Sequence, residues 1–132
     1  VIYLPADWKI DNGSLKDERN YWPFRLLNDT ARLPIWTESW LGYGHTISPA
    51  EGKLLTEDRP YNSVLLTYPV PEFDTMQYAD LSSGKSVSFY MIHPLTPEEL
   101  EYKEGNSTSD LLDRIYPENC DVMEVFLDRM KP

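Results

Sequence analysis

Proline stops most of the elements that can be read in this chain. Each proline fixes φ, lacks an N–H, and disfavours a helical conformation in the residue before it. Val1 to Leu4 is expected to be a strand, stopped by Pro5. Residues 9 to 19 are polar and carry Asn12-Gly13 as a turn signal. A helix is expected from about Pro23, with Phe24, Leu27 and Ala31 on one face and Pro34 ending it at Leu33. A Trp- and Gly-rich passage, Trp36 to Ile47, leads into a loop expected to run through Pro60. Ser63 to Tyr68 reads as a buried strand, and Pro69 and Pro71 open a loop to about Gly84. Ser86 to Ile92 is the clearest strand, because Val87, Phe89 and Met91 alternate with Ser86, Ser88 and Tyr90. We expect these two strands in one sheet with the Pro23–Leu33 helix packed on it.

The chain then turns helical. Thr96-Pro97-Glu98-Glu99 combines a cap, a first-turn proline and a glutamate three residues after the cap, and Gly105-Asn106 should end that helix. Ser107 to Asp110 starts another, burying Leu111, Leu112 and Ile115 until Pro117. Val122 to Met130 is apolar without a clean period and fits strand or helix equally. The expected fold is α+β, a mixed sheet with helices packed against it, forming one domain over residues 1–132.

Four Trp, nine Tyr and four Phe supply the aromatic content of a folded core, which a disordered acidic tail lacks. No apolar run reaches the roughly 18 residues of a membrane span. Charge is 12 − 22 = −10, which repels phosphate backbones and anionic lipid. Neither nucleic acid nor membrane is an expected partner, and a basic protein is. From Pro97 to Pro132 ten acids and four bases give −6, whereas the preceding 96 residues carry only −4. A single cysteine, Cys120, and the lack of a basic, apolar leader point to the cytoplasm. The Asn-x-Ser/Thr triplets at Asn12, Asn28 and Asn106 are read as chance. Because the first residues read like the end of a strand, further sequence is expected upstream of Val1.

Two His and one Cys provide no spaced metal-ligand set, and no acidic calcium loop is present, so no metal is expected. Gly42-Tyr43-Gly44 lacks the lysine and helix start of a phosphate loop, and no cofactor is expected. His45 is the strongest catalytic candidate, but a general base needs a partner within hydrogen-bond reach, and Thr46, Asp7 and Glu38 qualify only through folding. The favoured reading is structural: His45 bonds the loop backbone and holds Trp40. His93, before Pro94 at a strand end, is expected to pack or cap.

Three passages carry a resemblance. Tyr3-Leu4-Pro5-Ala6-Asp7-Trp8 contains a Leu-Pro-x-x-Trp segment. Trp22-Pro23 leads through Leu33-Pro34 into Trp40-Leu41-Gly42-Tyr43-Gly44-His45-Thr46. Pro94-Leu95-Thr96-Pro97-Glu98-Glu99-Leu100 precedes a Leu-Leu-Asp-Arg helix at Leu111 to Arg114. In this order they resemble the suppressor-of-fused (SUFU) family. The resemblance implies an α+β protein-binding domain and makes Leu4, Pro5, Trp8, Trp22, Pro23, Trp40, Gly42, Gly44, His45, Thr46, Pro94, Leu95, Thr96, Glu99 and Leu100 its structural motif. The family includes an animal regulator that sequesters a transcription factor, and bacterial single-domain members proposed as immunity proteins of polymorphic toxin systems. The expectation is a non-catalytic module of the bacterial type that binds a basic toxin domain or similar partner. Trp36, Trp40 and Tyr43 would anchor it, and Glu98, Glu99, Glu101, Glu104, Asp110 and Asp113 would steer it. A hydrolase using His45 and a structural domain of a larger protein are the alternatives.

Overall fold

The computed structural model describes residues 1–48, 54–69 and 78–131. Its longest element is α1, Glu18–Thr37, capped by Asp17, whose side chain accepts from the Arg19 N–H. It begins five residues before the expected start and runs past Pro34. Pro34 removes only its own bond to Thr30; Glu38, at φ 50, still donates to the Pro34 carbonyl and closes the last turn. The buried face is also shifted. Trp22, Leu26 and Thr30 are buried at a spacing of four, while Ala31 is exposed and Phe24 stacks on Tyr21 at 6.2 Å.

β1 (Thr46–Ile47), β2 (Ser63–Thr67) and β5 (Met91–Leu95) form a sheet in the order β1-β2-β5. β3 (Tyr78–Asp80) and β4 (Ser86–Ser88) form a separate hairpin, with Gly84 at φ 82 in its turn. Every pairing among the described residues is antiparallel, where a mixed sheet was expected. The α+β class stands. The Ser86–Ile92 strand does not: the chain leaves one sheet after Ser88 and enters the other at Met91. The two strands expected side by side therefore meet only through Met91 and Ile92. The predicted loops after Ile47 and after Pro69 lie partly outside the described residues, and β3 occupies part of the second.

β5 carries a proline in mid-strand, at a position where it is harmless. Ile92 points its N–H away from β2, donating to the Val1 carbonyl at 2.8 Å. Pro94 has the same parity, so its missing N–H falls on the side that β2 does not use. Val1 to Leu4 forms no strand; it makes this contact along β5 and packs Ile2, Tyr3 and Leu4 against the core.

All five residues of β2 and of β5 are buried, because both faces of the sheet are covered. Leu66 and Ile92 face Leu27 and Thr30 of α1 across a small cavity. Thr67, Met91 and His93, with opposite parity, face α3 (Thr108–Ile115) and α4 (Val122–Met130). α2, Pro97–Gly105, starts with the expected capping box between Thr96 and Glu99, and α3 with one between Ser107 and Asp110. The apolar run left open at Val122 is a helix, capped by Asp121 and burying Phe126 and Met130.

Candidate functional site

The passage between α1 and β1 is built to hold aromatic side chains outward. Trp36, in the last turn of α1, is 61% exposed, and Trp40 in the loop is 72% exposed. The Trp40 ring leans on the His45 ring with centroids 4.8 Å apart. A Cβ on Gly42 would lie 2.7 Å from that indole. The Gly42 N–H donates to His45 Nδ1, and the His45 N–H returns to the Gly42 carbonyl, both at 3.2 Å. The loop is fastened to the central strand by Gly44 N–H to the Leu66 carbonyl, 2.8 Å, and Leu66 N–H to the His45 carbonyl, 3.0 Å. Gly44 has φ +81, and the Thr108 hydroxyl of α3 sits 2.9 Å from where a Cβ would be. Only glycine meets both conditions.

With Nδ1 accepting a backbone N–H, neutral His45 carries its proton on Nε2, the form unsuited to removing a proton with that nitrogen. Asp7, in contrast, lines a cleft with Trp8, Arg19 and Lys131. Among the described residues no three His, Cys, Asp or Glu side chains converge as a metal-binding group. No helix of the described residues is long and apolar enough to cross a membrane.

Tyr43 begins a stack that sequence reading missed. Its ring lies 5.0 Å from Tyr68, and Tyr68 lies 6.1 Å from Tyr90, both pairs within 23° of parallel. Tyr68 was assigned to a buried strand but is 51% exposed. The following Pro69 is the signal that places it at the sheet's end.

Beneath this stack His93 is 3% exposed, inside β5 and away from the strand end. Its Nε2 meets the Thr67 hydroxyl and its Nδ1 the Tyr116 hydroxyl, each at 2.7 Å, and the Thr67 hydroxyl also reaches the Tyr68 carbonyl at 3.0 Å. One arrangement uses every proton: Tyr116 O–H to Nδ1, Nε2–H to Thr67, and Thr67 O–H to the carbonyl. Burial, helped by the nearby Arg129 charge, lowers His93 to about 3. Burial likewise pushes the Tyr116 phenol well up.

The acids expected to steer a partner divide into two groups. Glu99 is bound by both terminal nitrogens of Arg129 at 2.8 Å and accepts from the Thr96 N–H. Burial would raise its carboxyl, but the Arg129 and Thr96 hydrogen bonds outweigh this and hold it low. Asp110 accepts from the Ser107 N–H at 3.2 Å as part of its capping box. Glu98, Glu101, Glu104 and Asp113 are exposed.

The remaining motif residues hold the fold. Trp8 donates to the Asn20 carbonyl at 2.9 Å and meets buried Trp22 edge-on. Pro5, Pro23, Pro94 and Leu95 are buried, Leu4 and Leu100 are half-buried, and Thr46 lies in β1.

These features define a small α+β domain in which a Gly-His loop locks an antiparallel sheet to a helical layer while presenting aromatic rings. Residues 1–126 match the family model described as Suppressor of fused protein (SUFU), and the chain belongs to that family. No curated protein and no solved structure gives a significant match.

Proposed function

We propose that this domain is a non-catalytic protein-binding module that sequesters a basic partner, in the manner of an immunity protein that covers a toxin domain. The observation that carries the proposal is the display of Trp40 on a loop braced by Gly42, Gly44 and His45, with Trp36 exposed in the last turn of α1. Large aromatic rings left in water by a rigid support are typical anchors of protein interfaces, since their burial gives much area at little entropic cost. The net charge of −10 favours a basic partner. His45 serves as brace, with its Nδ1 committed to Gly42; this supports a binding role over a hydrolase.

The test is affinity capture from the source cell with quantitative mass spectrometry, comparing the native chain with a Trp36→Ser/Trp40→Ser variant. A specific partner should be captured by the native chain and lost by at least about tenfold in the variant, which corresponds to about 1.4 kcal/mol. If that partner is a toxin, co-expression should restore growth to cells producing it. Undiminished capture by the double variant would refute the aromatic anchor, and growth inhibition that co-expression leaves intact would refute immunity.

A further inference from the structure

The tyrosine stack opens onto a groove of about 340 Å³ between the end of the sheet and the helices α3 and α4. This lies within the range of small-ligand sites, about 300–1,000 Å³. Tyr43 and Tyr68 line it together with the apolar side chains of Met91, Leu112 and Val122. Among the described lining residues only Asp113 carries a charge. It is exposed and has no ion pair among the described residues.

We infer that this groove seats an arginine side chain presented by a protein partner, with the guanidinium between the tyrosine rings and the Asp113 carboxylate. This rests on the protein-binding function proposed above and names the group recognised. Three features select that occupant. Aromatic faces attract a cation through their quadrupole, and a planar guanidinium can lie flat on the face of Tyr43 turned away from Tyr68, at the end of the stack, where an ammonium cannot. The chain already makes this contact on the neighbouring helices, where Arg114 sits 4.5 Å over the Tyr102 ring. The apolar walls at Leu112 and Val122 suit the three-methylene stem, with the charge at its tip meeting Asp113. His93 also lines the groove, and its burial keeps it neutral at physiological pH, so none of the described lining residues adds a positive charge, and the nearby Arg129 is paired with Glu99.

The probe is N-acetyl-arginine methylamide, titrated into the isotope-labelled chain by NMR beside its citrulline counterpart, which keeps the shape and loses the charge. Arginine should shift the Tyr43, Tyr68 and Asp113 signals and bind about fivefold or more tighter than citrulline. Asp113→Asn should abolish that preference without altering citrulline binding, and Tyr68→Leu should reduce it. Both side chains are exposed, and an unchanged amide spectrum elsewhere reports that each variant folds. Equal binding of the two probes, or shifts confined to Glu98, Glu101 and Glu104, would overturn the proposal. So would a captured partner whose affinity is untouched by Asp113→Asn and Tyr68→Leu, while protein binding itself would stand. Conversely, an arginine preference that vanishes in Asp113→Asn, in a chain that captures no partner, would support the groove and sink the protein-binding function.

Discussion

His93 shows how one residue can make the stability of the fold depend on pH. Unfolded, its imidazole titrates near 6.5; folded, burial lowers that to about 3. Between these values the unfolded chain holds more protons, so stability rises with pH. The contribution is fully present above about 6.5 and is lost as pH falls toward about 3, with a limiting slope near 1.4 kcal/mol per pH unit. Denaturant unfolding between pH 7.5 and 5 should show this loss, and His93→Gln should flatten it. Glu99 adds its own loss only nearer the carboxylate range, about pH 4.3. The Val1 amino group, lowered from 8.0 by burial, titrates in the same window, so the histidine is read from the difference in slope between the native chain and His93→Gln. A native slope retained by His93→Gln would refute the assignment. The two loop glycines should separate in the same way. Gly44→Ala meets a positive φ and the Thr108 hydroxyl together, and should cost about 1–3 kcal/mol. Gly42→Ala meets only the exposed Trp40 ring, which can swing aside. It should leave the melting temperature nearly unchanged while moving the Trp40 indole NMR signal; equal destabilisation by both would contradict this.

Elements were legible where their signals are local. The caps at Thr96 and Ser107 are each written within four residues, and α2 and α3 formed where expected. Signals were misleading where tertiary placement decided the outcome. Pro34 reads as a stop, yet it deletes one hydrogen bond of a helix that packing supports through Thr30, and the exposed last turn beyond it is closed by the Glu38 N–H on the Pro34 carbonyl. The alternation from Ser86 to Ile92 is genuine, but a period of two cannot reveal that the chain changes sheets at Phe89 and Tyr90. In α4, Val122, Met123 and Val125 pack on the core beside buried Phe126 and Met130, so more than one face is covered and the helical period is blurred. The aromatic loop of the candidate site was legible from its glycines and histidine. The Tyr68–Tyr90 stack and the Asp113 groove were not, because their parts lie on strands and helices far apart in sequence. α3 offers a direct measure of burial along one helix. Leu111 is fully buried and Leu112 borders the groove. Leu111→Ala should destabilise by about 2–5 kcal/mol, and Leu112→Ala by clearly less. Comparable losses in denaturant midpoint would place α3 in a different rotation.

At the scale of the whole molecule, the charge field and the contact surface would make different contributions to the proposed binding. The segment from Pro97 onward holds −6 of the net −10, but not all of its acids are free to act at a distance. Glu99 is neutralised by Arg129, and Asp110 is tied to its own helix cap. Glu98, Glu101 and Glu104 stand exposed on α2. Asp113 borders the groove, where it would act by direct contact. Field and contact can therefore be tested on separate residues. Exposed charges accelerate encounter and are screened over about 8 Å at physiological ionic strength; contacts within a site chiefly set dissociation. Replacing Glu98, Glu101 and Glu104 together by Lys, with Asp113 kept, should lower the association rate of a basic partner about tenfold at low salt. The difference should shrink as salt is added, with dissociation nearly unchanged. Asp113→Asn should do the reverse, speeding dissociation and barely altering association. Stopped-flow or surface-based kinetics over a salt series reads both effects. An association rate indifferent to salt and to the triple reversal would remove steering from the account, leaving the aromatic loop and its groove as the whole of the recognition surface.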